Sequence, residues 1–497
     1  MMFCAELSTL GASQTAGWEA AMTDRIDDTD TTTGKPSGPA APVAAAEAPR
    51  QFGLAAAMAL IVGSIIGVGI FNLPTSLAGY GPITLISMAL TTVGALALAI
   101  MFASLSRRLP ADGGPYAYAR VAFGNRLGFA NAWSYWITAW AGNAAIAVGW
   151  VLYVEVFINK DHTKIWSVLL VLVGLWIPAA INLSGVKNMG SVQIITTIIK
   201  FVALAFMSIV GLFYIKSANF TPWNVSGESA INAIGGGMAI ALFSYLGVET
   251  ASVAAGKVRD PDRNVPRATI LGTLACAVVY MLSLTAIFGI LPNKTLQNST
   301  APFSDAANVM FGGTWVGNLF AIAVIISGFG ALNGWTMICA EMPLAAANDG
   351  LFPDQFKRMS RSGVPAFGII SSTVLASIAI IINYIGSGGA TVFTTLVLMS
   401  GITAAIPYGF SALAQLKWRW IDHREMETPR FIRDMIVAVL ALVFSVLFIY
   451  YSRNTGHSFW VYWVPFFLAA GALLLGIPVY LAQRRRMTEP EPVPPYR

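Results

Sequence analysis

Apolar residues in this chain gather into long blocks, separated by short polar or basic connections, from about residue 53 to residue 482. A helix of about 20 apolar residues rises far enough to cross a hydrocarbon core of ~30 Å. Twelve such spans are expected, near 53–79, 83–105, 126–157, 165–185, 191–215, 231–256, 266–291, 313–347, 364–385, 390–416, 431–451 and 459–482. The first interrupts itself: GSIIGVGIFNLP, Gly63 to Pro74, places Gly63, Gly67 and Gly69 in mid-span and closes on Pro74. Glycine costs a helix about 1 kcal/mol per position and proline about 3, so a break there needs a reason. The sixth span, INAIGGGMAIALFSYLGVETASVAAG, carries glycines at 235, 236, 237 and 247 and then an acid, Glu249.

Composition agrees with the pattern. The chain of 497 residues is 56% hydrophobic and 11% charged, where a soluble domain carries roughly 25% charge. The predicted fold class is therefore an all-α polytopic membrane protein. Three cysteines and three scattered histidines offer neither a disulfide framework nor metal-ligand spacing, so no metal and no cofactor is expected. The pI near 9.2 reflects loop lysines and arginines rather than nucleic-acid binding. With the N-terminus inside, residues such as Arg107, Arg108, Arg120, Arg126, Arg419 and Arg484 fall on the cytoplasmic side. The outer loops then hold Lys160, Lys164, Lys216, Lys294 and Arg453. That asymmetry places both termini in the cytoplasm. Residues 1–50 are polar and Pro/Ala-rich and read as a disordered tail, with Met22 competing with Met1 as the start. No soluble catalytic domain is evident, so a transporter is expected rather than an enzyme.

Two glycine-broken spans, five spans apart, are the mark of a transporter built from two inverted five-helix blocks. Broken backbone survives at membrane depth only where it lines a cavity or is buried in protein. Freed N–H groups then hold a carboxylate and freed C=O groups an ammonium, which together suit an α-amino acid. Close helix packing is the plainer reading of the same glycines.

Several segments carry a resemblance to a known family: GSIIGVGIFNLP, GGPYAYARVAFG, YWITAWAGNAAIAV, FSYLGVETASVAAGKVRDPDRNVPRATI, GWTMICAEMPLAAANDGLFP and IPYGFSAL. They resemble the amino acid–polyamine–organocation superfamily, above all its bacterial arginine/agmatine antiporter branch. The resemblance runs from about residue 53 to the last span. It implies discontinuous helices one and six, a first five-helix repeat over 51–217 and a second, inverted one over 218–418. Helices eleven and twelve over 419–483 and a tail over 484–497 complete the chain.

The resemblance also implies a site. Backbone N–H groups of Val68 and Gly69, with Gly67 beside them, would hold the substrate carboxylate. Carbonyls of Ile65, Phe243 and Leu246 would hold its α-ammonium. Val68 stands where the branch has a small polar residue, and Phe243 where the family usually has tryptophan, a stronger cation partner. Trp335 would pack on the aliphatic part of the substrate, and Asn143 would bond its distal end, with Thr138, Ala139 and Ser400 completing the pocket. An interhelical hydrogen bond for Asn143 and ordinary packing for Trp335 stay open. Tyr135, Glu249 and Tyr408 match a hydrogen-bonded cytoplasmic gate, and an intramembrane acid needs a task or a partner. Tyr116 matches a tyrosine linked to pH response, or it anchors a loop.

Lys200 departs from the branch and is shared with proton-dependent relatives. It is either a fixed positive strut or, with Glu249, part of proton coupling. The expected function is exchange of a cationic amino acid for its decarboxylated amine by alternating access in the cytoplasmic membrane. Arginine/agmatine is the first pair, with ornithine/putrescine and lysine/cadaverine behind it. A proton-coupled symporter and a transport-dead sensor are the alternatives. Expected partners are small amino-acid and amine substrates and the lipid bilayer, with no nucleic acid, and a homodimer is left open.

Overall fold

The computed structural model describes residues 54–109, 113–185, 189–249, 260–423, 427–453 and 459–490. The N-terminal tail over 1–50 and the end of span six over 250–256 lie outside them. Span one is two helices, α1 (Leu54–Ile65) and α2 (Gly69–Ala78), with residues 66–68 between them. Span two is α3 (Thr84–Arg108); a short helix α4 (Pro115–Phe123) then leads into span three, α5 (Asn125–Val154). Spans four and five are α6 (Lys164–Leu183) and α7 (Met189–Val210). Span six is α8 (Ala230–Ala241), continued by a 3-10 turn over Leu242–Tyr245. Span seven is α9 (Pro261–Ile290), followed by two short helices, α10 (Asn293–Asn298) and α11 (Pro302–Phe311). Spans eight to eleven are α12 (Trp315–Asn348), α13 (Ala366–Tyr384), α14 (Gly389–Asp422) and α15 (Thr428–Tyr451). The last span is α16 (Phe459–Leu474) with α17 (Gly476–Gln483).

Among the described residues ten helices are long and apolar enough to cross a membrane; the broken first and sixth spans bring the total to the twelve expected. Burial sorts them. Within α5 the apolar window is 89% buried, so span three is the axis of the bundle, whereas the last span is 17% buried and faces outward. Span three packs against α14, α12 and α4, and this is where the core is densest.

The two halves of span one answer to different neighbours. In α1, the Ile65 carbonyl accepts from the Tyr280 hydroxyl of α9 at 3.1 Å, and the Gly63 carbonyl accepts from Lys200 Nζ of α7 at 3.0 Å. In α2, the Phe71 carbonyl accepts from the Tyr153 hydroxyl of α5 at 2.8 Å. Ser76 pairs with Thr394 of α14 at 2.8 Å, and Thr75 donates to the Ser299 carbonyl at 2.9 Å. The break thus joins a half anchored on spans five and seven to a half anchored on spans three and ten.

The glycines of span six divide into two classes. A Cβ on Gly235, Gly236 or Gly237 would lie 2.5 Å from Tyr451, 2.2 Å from Tyr80 or 2.5 Å from Ser87. Those three permit close packing inside an unbroken helix, and they do not make the break. The break comes later, where Leu246 turns extended and Gly247 takes a φ of +104°.

Candidate substrate cavity and gate

The backbone makes one end of the cavity. The helical ladder of span one runs to the Ile66 N–H, which donates to the Val62 carbonyl at 2.9 Å, and resumes where the Phe71 N–H donates to the Val68 carbonyl at 3.0 Å. Between them, the N–H groups of Gly67, Val68, Gly69 and Ile70 have no backbone acceptor among the described residues. They are the orphan donors of a helix start, and the dipole of α2 adds positive character there. Gly67, Gly69 and Ile70 of span one and Phe243 and Leu246 of span six meet Trp335 of span eight around a tight cavity of about 20 Å³. That is room for about one water molecule, so the lining must part before an amino acid can enter. Phe243 lies on Gly69 so closely that a Cβ there would be 2.7 Å from its ring.

Each residue expected at the site has a definite place. Ile65, Gly67, Gly69, Phe243, Leu246 and Trp335 line the cavity. Val68 turns its side chain away: a Cβ on Gly328 of span eight would lie 2.7 Å from Val68 Cγ2. Its contribution is therefore a backbone N–H, and its isopropyl group fills a notch that the glycine leaves. Asn143 is buried beside the lining Gly142; its Nδ2 donates to Thr336 Oγ1 at 3.1 Å while its Oδ1 has no partner among the described residues. A buried amide oxygen without a donor costs about 1–3 kcal/mol, so this atom is an open acceptor. Thr138 and Ser400 instead tie span three to span ten. Thr138 Oγ1 donates to Thr403 Oγ1 at 2.9 Å, and Ser400 Oγ to the Thr138 carbonyl at 3.0 Å, with Ala139 buried between turns of the same helix.

Sequence reasoning missed Ser64, Ile70, Gly142, Ile146 and Ser244, which also line the cavity, and Tyr280, which occupies one lone pair of the Ile65 carbonyl. Tyrosine inside an apolar span is a signal that would have found Tyr280, because a buried phenol seeks a partner.

Below the cavity, toward the basic end of the molecule, Glu249 is 1% exposed. Its Oε1 accepts from the Tyr135 hydroxyl at 2.8 Å; its Oε2 accepts from the Tyr408 hydroxyl at 2.8 Å and from the Gly247 N–H at 3.1 Å. Spans three, six and ten are closed on one carboxylate. Tyr116 lies apart from this cluster. It sits on α4, where its hydroxyl donates to Asp349 Oδ2 at 3.2 Å, beside the Arg120–Asp349 ion pair at 2.7 Å. Lys200, 1% exposed, reaches the carbonyl side of α1 and not the cavity lining.

Comparison with known proteins fixes the family. The profile of the family described as Amino acid permease matches residues 52–474. The chain belongs to this family of the amino acid–polyamine–organocation superfamily. The permease is 30% identical over 422 residues to an arginine/ornithine antiporter of Pseudomonas aeruginosa, covering 81% of this chain and 86% of that one. It is 31% identical over 366 residues to the putrescine transporter PotE of Escherichia coli, covering 73% and 83%. Against the cadaverine/lysine antiporter of the same bacterium it is 27% identical over 406 residues, covering 80% and 89%. The permease is a multi-pass membrane protein of a transporter family.

Proposed function

We propose that this permease exchanges a cationic amino acid for its decarboxylated amine across the cytoplasmic membrane, with both termini inside. Arginine and agmatine are the first pair, and ornithine/putrescine and lysine/cadaverine follow. The reading rests on one observation. The cavity offers orphan backbone N–H donors from residues 67–70 at one end and, among its lining residues, no acid. A carboxylate fits the donors. A guanidinium or ammonium is left to the Trp335 face and the open Asn143 oxygen. Held by dipoles and a π-face, the cation is released as readily as it is bound, which exchange requires. The names of the relatives, all amino-acid or diamine carriers, support the substrate class.

Alternating access follows from the hinge. The half of span one anchored on spans five and seven moves against the half anchored on spans three and ten. The Glu249 gate opens when the bound substrate offsets the loss of its hydrogen bonds. The test is uptake of labelled arginine into proteoliposomes loaded with agmatine, ornithine, putrescine, lysine or nothing. Uptake only into loaded vesicles, fastest with agmatine, is expected. Uptake into empty vesicles that follows an imposed proton gradient would replace exchange with symport, the second reading, which the Lys200–Gly63 contact at 3.0 Å favours. Binding without uptake would indicate a sensor.

A further inference from the structure

A second concave site lies at the basic end of the molecule, between the start of span three and the end of the last span. Phe123, Gly124 and Arg126 form one wall, and Tyr480, Arg484 and Arg485 the other. No acidic residue lines the groove. Its arginines are exposed, and among the described residues none of the three forms an ion pair. The neighbouring arginines behave differently: Arg120 pairs with Asp349 at 2.7 Å and Arg486 with Asp354 at 3.1 Å. Three guanidinium groups are therefore left without a counter-charge in one concave place, next to others that have one. A further cation stands behind the groove, where Lys417 Nζ lies 5.4 Å from the Phe123 ring centroid.

The groove also continues into an apolar face. On α17, Ile477 and Leu481 lie four residues apart on one face, and Arg484 and Arg485 stand in the turn that follows the end of the helix at Gln483. Ile477 is 52% and Leu481 53% exposed, on a span that turns outward for most of its length. An exposed aliphatic face that gives way to guanidinium groups just past the helix end, with Tyr480 at the junction, is the profile of a membrane interface.

We infer that this groove binds the headgroup of an anionic phospholipid. The phosphodiester sits among Arg126, Arg484 and Arg485, and the acyl chains run along Ile477 and Leu481. Guanidinium groups match phosphate oxygens in a fork geometry, and basic pockets between membrane helices are suited to such headgroups. Free phosphate would satisfy the arginines but would leave the apolar stripe without a role.

The experiment is native mass spectrometry of the full-length protein, titrated in detergent with phosphatidylglycerol, cardiolipin or phosphatidylcholine. It compares the wild type, R126Q/R484Q/R485Q and a control, R358Q/R361Q, which removes two exposed arginines elsewhere at the same end. Tight retention of the anionic lipids over phosphatidylcholine is expected. Removing three guanidinium groups from an anionic surface should cost on the order of 100-fold in affinity and the control little. Unchanged transport and melting temperature in zwitterionic vesicles show that the triple variant folds. Equal retention by wild type and triple variant, or an equal loss in the control, overturns the site. Displacement of the lipid by millimolar inorganic phosphate would make it a free-anion site and overturn the lipid assignment.

Discussion

In the proposed site, recognition of the substrate's cationic end falls to two side chains, Trp335 in the cavity lining and Asn143 buried beside it, while the rest of the lining is backbone, hydrocarbon and the hydroxyls of Ser64 and Ser244. The Asn143 oxygen is the one whose partner is missing, and a charged donor on the substrate would gain about 1.5–3 kcal/mol by supplying it. Asn143→Ala should therefore weaken arginine binding by about 10–100-fold, read by equilibrium binding to the purified protein; an unchanged Kd would remove the role. Trp335→Leu should cost about 5–30-fold in arginine affinity, the worth of a desolvated cation–π contact, and unchanged binding there would return Trp335 to ordinary packing. The sequence alone left both readings of Asn143 open, and the structure shows why. The amide does make an interhelical bond, to Thr336, but only with its nitrogen. Val68 was legible as a departure from the relatives, yet its reason was not, since Gly328 lies 260 residues further along the chain.

Helices carried most of the legible information. Most spans were expected from apolar run length within a few residues, because each must satisfy its own backbone in lipid; span ten runs on to Asp422, beyond the expected 416, and the expected end of span six lies outside the described residues. The short helices α4, α10 and α11 were not, since run length registers only segments that cross. The first break was legible from Gly67 and Gly69. The second was read from glycines 235, 236, 237 and 247 together; the first three answer to Tyr451, Tyr80 and Ser87 from distant segments, a demand that no local pattern carries. Gly247 makes the actual turn. At a φ of +104°, with Ser64 O 3.0 Å from a would-be Cβ, it leaves alanine strained by about 1–3 kcal/mol. Gly247→Ala should insert in the membrane and lose most exchange, whereas normal exchange would show that the backbone here is not needed as drawn.

At the scale of the whole molecule, two devices hold the basic end. One is the carboxylate cluster in which Tyr135 and Tyr408 converge on Glu249 from spans three and ten. The other is an ionic staple: Arg419 of span ten meets Asp434 of span eleven at 3.0 Å, and Arg108 of span two meets Asp422 at 3.0 Å. Removing one partner of a buried pair strands the other. Asp434→Ala should therefore cost about 3–5 kcal/mol, seen as a lower melting temperature, and an unchanged value would show Arg419 to be hydrated. The Tyr135–Glu249–Tyr408 cluster was legible through the resemblance; the staple was not, because its charges read from sequence as loop residues that set orientation.

The central claim is that opening requires bound substrate, so that transport in one direction obliges transport in the other. The direct measurement is efflux of labelled agmatine from preloaded proteoliposomes, with counted uptake of arginine of a second label. The expected result is negligible efflux into plain buffer and, on adding arginine, agmatine out and arginine in at one to one. Steady efflux into buffer, or arginine uptake with no agmatine released, would contradict it.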